Sequence, residues 1–256
     1  MLKRKIVLLL SLLILATSLW AQETKMVTIE RGTFVPLYGA ANKKPVEVQA
    51  FYLDVYPVSN AQYLAFLQKH PENVRSRMKG IFADKSYLSH WTSDFNYGKG
   101  NLSNAPVTNV SWFAAKKYCE CQGERLPTMD EWEYVAMADE KRIDARTKES
   151  FNKYIMSWYE KPNTYANPVG GTFKNYWGVY DMHGLVWEWT ADFNSIFLSG
   201  ESRKDKDTDK NLFCGSASIN ATDLMNYAAF MRYAFRGSLK ASYTTKNLGF
   251  RCAKNK

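Results

Sequence analysis

The chain has 256 residues, 46% hydrophobic, 15% aromatic and 23% charged, with 14 Gly and 8 Pro. That is enough apolar material for a sizeable core, and it excludes a largely disordered, collagen-like or disulfide-dense miniature protein. The formal charge is +9, but basic residues are interspersed with Asp and Glu and form no long block, so a nucleic-acid partner is not indicated.

Residues 1–21 have the three parts of a secretory leader: Lys3-Arg4-Lys5, an apolar run from Ile6 to Leu15, and small or polar residues ending at Ala16 and Ala21. A membrane-spanning helix needs roughly 20 apolar residues, so this run is too short and cleavage after Ala21 is expected. Removing those three positive charges leaves +6 on the mature chain. The expected product is exported across the inner membrane, with no span remaining, and is periplasmic or associated with the outer membrane. In an oxidising compartment, Cys119, Cys121, Cys214 and Cys252 imply one or two disulfides, with three pairings open.

After the leader, Met26-Val27-Thr28-Ile29, Gly32-Thr33-Phe34-Val35 and Val46 to Phe51 read as short strands separated by turns. Ser59 with Gln62 forms a capping box ahead of Tyr63, Phe66 and Leu67, which share a helical face. Ser111 caps a second helix from Trp112 to Cys121, stopped by Gly123. Pro127, Thr128 and Glu131 open a third, through Met137, carrying Trp132 and Val135. Beyond residue 140 the periodicity fades while aromatics keep arriving, which predicts irregular backbone. The charged stretch from Gly200 to Asn211 reads as a solvated loop. Met231 to Arg236 and Gly249 to Cys252 read as strands in which Arg alternates with apolar residues. No repeat or linker divides the chain, so one domain over 24–256 is expected.

Five segments in order carry a resemblance. They are Phe51-Tyr52-Leu53-Asp54 with Pro57 to Tyr63; Pro106 to Trp112; Arg125-Leu126-Pro127-Thr128 with Glu131-Trp132-Glu133-Tyr134; Gly178 to Gly184 through Trp187-Glu188-Trp189-Thr190; and Asn247 to Cys252. Together they resemble the formylglycine-generating enzyme, or sulfatase-modifying factor, family over nearly the whole mature chain. The resemblance implies a single-domain α+β fold related to C-type lectins, with little regular secondary structure.

It also implies chemistry. Enzymes of that family use two nearby cysteines that bind copper to oxidise a substrate Cys to formylglycine with dioxygen, and soft thiolates suit Cu(I). Here the matching stretch runs from Cys214-Gly215-Ser216 to Arg236, and no cysteine lies between Gly215 and Cys252. The catalytic pair is absent, so copper is not expected. Cys214 is the remaining candidate for a redox or soft-metal role, although it sits too early to replace either thiol without a rearranged loop. His70, His90 and His183 are scattered and read as surface or packing residues.

The resemblance further implies a structural disulfide between Cys119 and Cys252. The family's second disulfide has lost both partners, at Ala136 and Tyr233, leaving Cys121 and Cys214 to pair with each other or stay free. A structural calcium site is implied at Asp181, Gly184, Val186 and Glu188, the middle two through their carbonyls; Leu185 departs from the usual Asn of this loop. A second calcium site has too short a loop at 163–173. Trp112, Trp132 and Trp187 read as core, yet Trp187, Arg232 and Arg236 fall where the family lines its peptide groove. The expected function is an exported non-oxidase that acts as a binding or maturation accessory, with another exported or envelope protein, or a peptide segment of one, as partner. The alternatives are a metal- or thiol-dependent oxidase on the same scaffold and a glycan-binding module.

Overall fold

The computed structural model describes residues 25–36, 44–99, 101–194 and 224–256. The leader, the charged loop at 200–211 and Cys214 lie outside the described residues. Strand β1 (Met26–Ile29) pairs antiparallel with β4 (Phe51–Asp54), and β4 pairs antiparallel with the last strand, β7 (Ala253–Asn255). The beginning and end of the domain thus meet on one strand. A hairpin of β2 (Gly32–Phe34) and β3 (Val46–Val48) lies outside this sheet. The register sets Ile29 opposite Phe51 and Val27 opposite Leu53. Phe51 and Leu53, two apart, face the core together, as the two-residue period of a strand requires.

The three capped helices form as their N-terminal residues dictate. In α1 (Asn60–Lys69) Ser59 accepts from the Gln62 N–H, and the Gln62 side chain accepts from the Ser59 N–H at 2.9 Å. Ser111 caps α2 (Trp112–Cys121) through the Ala114 N–H. Thr128 and Glu131 form the reciprocal box of α3 (Met129–Ala136). Two further helices are α4 (Glu149–Tyr159) and α5 (Leu224–Gly237). No helix among the described residues is long and apolar enough to cross a membrane.

Helix α5 corrects the strand expected at 231–236. Residues four apart share a face in a helix and in a strand alike, so Arg232 and Arg236 alone cannot distinguish the two periods. Ala228, Ala229, Arg232, Tyr233 and Arg236 are all buried, a spacing of three and four that only the helix explains. Helix α4, unexpected from sequence, lacks a side-chain cap at Lys148, and only Phe151 and Ile155 are buried on it. Those two pack with Ala228 of α5. The segment read as a strand at 249–252 is paired as one only at its start: β5 (Trp187–Glu188) pairs parallel with β6 (Leu248–Gly249). A Cβ on Gly249 would stand 2.7 Å from the Val107 carbonyl oxygen, so this crossing demands glycine.

The core has two principal parts. Tyr63, Phe66, Tyr118, Trp189 and Phe250 pack around the Cys119–Cys252 disulfide. Ile29, Phe51, Leu53, Trp132, Val135 and Met182 fill the second. The disulfide joins α2 to the residue before β7, with Cα atoms 5.6 Å apart, in agreement with the expected pairing. Cys121, two residues along α2, is a half-buried free thiol.

Asp54, Glu124 and Cys252 bring potential ligand atoms within 4.8 Å of one another. The sulfur is held in the disulfide, so the cluster offers two carboxyls and no thiolate. Burial pushes the Asp54 carboxyl up to about 8. The Cys252 N–H opposes that rise and the Glu124 charge reinforces it. Because its folded pKa lies above the ordinary 3.8, its contribution to stability is complete in acid and is lost as pH rises through about 8. Asp54→Asn keeps the acceptor without the ionisation. It is expected to raise the thermal midpoint at pH 9 and leave it nearly unchanged near pH 3, below the ordinary carboxyl pKa; equal shifts at both values would show that burial does not hold Asp54 protonated.

Candidate functional site

A cavity of about 360 Å³ opens where α3, α4, β5 and α5 converge. Its walls are aromatic: Trp132 from α3, Trp158 and Tyr159 from the end of α4, Tyr165 from the following loop, and Trp187 from β5. Trp187 stacks on Phe235 at 4.8 Å between centroids and tilts against Tyr159 at 5.0 Å. Lys161, Lys246 and Arg236 also line it. Gly184 closes one side with φ 141°, and a Cβ there would lie 2.7 Å from Thr172 Cγ2 and 3.2 Å from the Trp158 ring. Only glycine lets that loop approach the wall so closely.

Beneath the cavity lies a buried ionic network. Glu133, on the inner face of α3, accepts from Arg232 Nε at 2.9 Å and Nη2 at 2.7 Å, and from Arg236 Nη1 at 2.8 Å. All three residues are buried. The Arg236 guanidinium sits 4.5 Å from the Trp132 ring centroid. The Trp132 indole N–H donates to Glu188 at 2.7 Å, and Glu188 takes Arg251 through both oxygens at 2.8 Å. Arg251 also donates to the carbonyls of Asp54 and Tyr180, tying the first sheet to this site.

Burial would raise the Glu133 carboxyl, but the Arg232 charge and hydrogen bonds, then those of Arg236, outweigh it and hold it down to about 2. His183 is also buried, 2.7 Å from the Ala136 carbonyl oxygen. Desolvation and the Arg232 charge depress its pKa to about 3, so it is a neutral packing residue.

Of the groove residues expected from sequence, Trp187 and Arg236 line the cavity. Arg232 does not: its guanidinium is spent on Glu133 and the Tyr159 hydroxyl, so its role is to brace α5 against α3 and α4. Glu133 lies within one of the resemblance segments, but its role was missed. The available signal was an acidic residue between Trp132 and Val135 on a helix, facing the core. Lys161 and Lys246 come from loops, and Tyr165 from a single 3-10 turn (Thr164–Ala166), none with a periodic signature.

The implied calcium residues lie on one loop, but their carboxylates have protein partners. Asp181 accepts from the backbone N–H groups of Gly170 and Thr172. Its pKa is raised by burial, against the pull of those donors and of Arg251. Both Glu188 oxygens are committed to Arg251 and Trp132. Calcium takes about six to eight oxygens, and here a cation at Glu188 would also meet a guanidinium. The set as arranged does not fit the ion. Treatment with a chelator is therefore expected to leave the thermal midpoint unchanged; a fall reversed by added calcium would show that the carboxylates exchange partners.

A small α+β domain with short sheets, long irregular connections and an aromatic cavity over a buried Arg-Glu network defines the class. The chain belongs to the family described as the sulfatase-modifying factor enzyme 1-like domain, whose model matches residues 16–256. It is 28% identical over 280 residues to the formylglycine-generating enzyme of Mus musculus, covering 90% of this chain and 75% of that protein. It is 26% identical over 253 residues to the inactive C-alpha-formylglycine-generating enzyme 2 of Bos taurus, covering 84% and 80%. The serine/threonine-protein kinase pkn1 of Chlamydia pneumoniae is 28% identical over 246 residues, covering 91% of this chain but 38% of that longer one. Among solved structures, PvdO from Pseudomonas aeruginosa matches with a TM-score of 0.48 at 18% identity, covering 90% and 94%.

Proposed function

We propose that this chain is an exported, non-oxidase member of its family that holds a segment of another exported or envelope protein in the cavity beside Trp187. One observation carries the reading: the described residues form an aromatic cavity over a braced network, while the sequence between Gly215 and Cys252 holds no cysteine. Cys119 and Cys252 are consumed by their own disulfide, which leaves Cys121 and Cys214 as the remaining thiols in the sequence. A relative named as inactive, at 26% identity, supports the view that this scaffold persists without the reaction. Fold alone decides neither case, because function resides in the site.

Copper tests this directly. Titration of the purified protein with Cu(I) against a chromophoric competitor is expected to show no stoichiometric complex. A one-to-one complex abolished by Cys214→Ser would overturn the reading and restore a soft-metal oxidase.

A further inference from the structure

We propose that the cavity selects a segment bearing a carboxylate, received between Arg236 in its floor and Lys161 and Lys246 along its walls, with the aromatic faces packing the flanking apolar groups. This rests on the segment-binding reading above and adds the chemical class of the segment.

Two guanidinia, Arg232 and Arg236, are buried against a single carboxylate, Glu133, while the third, Arg251, lies among Glu188 and the carboxyls of Asp54 and Asp181. Arg251 is matched by Glu188 and Arg232 takes Glu133 through two nitrogens, so Arg236 shares an acid already in use. Arg236 donates to Glu133 through Nη1 alone, and no second acceptor for it occurs among the described residues. A net positive charge therefore stands in low-dielectric surroundings, where an uncompensated ion is costly and an anion is strongly attracted.

The rest of the cavity adds to that field. Lys161 lies over the Trp158 ring at 4.1 Å, and Lys246 is exposed beside Asn247. Among the described residues Glu188 is the one acidic side chain lining the space, and Arg251 neutralises it. His183, buried below, is held neutral partly by the same arginines. A cationic segment would be repelled, and a neutral sugar would leave the surplus charge unmatched. About 360 Å³ admits a few side chains in an aromatic-lined site with a small number of polar anchors. Arginine's planar fork suits a carboxylate.

The test uses the full chain and NMR titration of its tryptophan indole resonances. The probes are acetyl-Ala-Phe-Glu-Phe-Ala-amide, the same peptide with Gln for Glu, the Gln peptide with a free C-terminal carboxylate, and glucuronic acid. At least one carboxylate peptide is expected to bind roughly ten-fold more tightly than the neutral amide, equivalent to about 1.4 kcal/mol. Which of the two does so distinguishes an acidic side chain from a chain terminus. Lys246→Glu, at an exposed position, is expected to abolish the preference while leaving the fold intact. Equal binding of all three peptides would overturn the carboxylate inference and leave segment binding standing. Binding of no peptide would remove both, and binding of glucuronic acid alone would assign the site to acidic sugars instead.

Discussion

Glu133→Gln is expected to destabilise the protein by about 3–5 kcal/mol, the cost of removing one member of a buried ion pair. The substitution preserves volume, removes the charge and turns one of the two accepting oxygens into an NH2 donor, leaving Arg232 and Arg236 buried without an acid between α3 and α5. Both arginines lie 3% exposed; water reaches Arg232 only by opening the helix pair, and Arg236 only through the cavity it lines. Urea denaturation measures the effect. The pH dependence carries the same signature. A carboxyl held near 2 against an ordinary 4.5 stabilises the fold above the higher value and loses that contribution as pH falls toward the lower one. The wild type should therefore lose stability between about pH 5 and 2 more steeply than Glu133→Gln. Pairing the change with Arg236→Met should recover part of the loss, since neighbours in one network are not additive. A loss below about 1 kcal/mol, the range of exposed ion pairs, would mean that the network is hydrated.

Opening the Cys119–Cys252 disulfide is expected to cost about 5 kcal/mol in the chain-entropy description, because it closes a loop spanning 133 positions. Cys119→Ala with Cys252→Ala measures this without stranding a thiol. Both sulfurs are fully buried in the larger core cluster, next to Tyr118 and Phe250. The bond also fixes the residue before β7, whose pairing with β4 closes the sheet on β1. The paired substitution should lower the denaturation midpoint and speed unfolding. An unchanged midpoint would show that the β4–β7 pairing holds the C-terminus unaided.

Much of this architecture was legible from local rules. Ser59, Ser111 and Thr128 announce their helices because a cap is a contact over three residues, fully specified by neighbours in the chain. Helix α5 was misread because a window of six residues around two arginines four apart is compatible with both periods. Helix α4 carries no cap and a narrow buried stripe, so nothing local marks where it begins. The site itself divides the same way. Trp187 and Arg236 were placed through resemblance to the family. The partners that give Arg236 its meaning are distant: Glu133 is 103 positions away. The same holds for Glu188, where a loop pattern resembling a calcium ligand set cannot reveal that Arg251, 63 positions on, occupies its carboxylate. Ion pairs between elements depend on how helices and strands are brought together, and no short pattern encodes that.

The chain holds an aromatic cavity but no cysteine between Gly215 and Cys252 to supply the sulfur pair that the family's oxidation requires. The direct measurement is to incubate the purified, copper-supplied protein under air with a cysteine-containing peptide and follow the peptide by mass spectrometry. The account predicts that the cysteine returns unchanged apart from ordinary disulfide formation, at the rate seen without protein. Conversion to the aldehyde, above that background and over many turnovers, would contradict it.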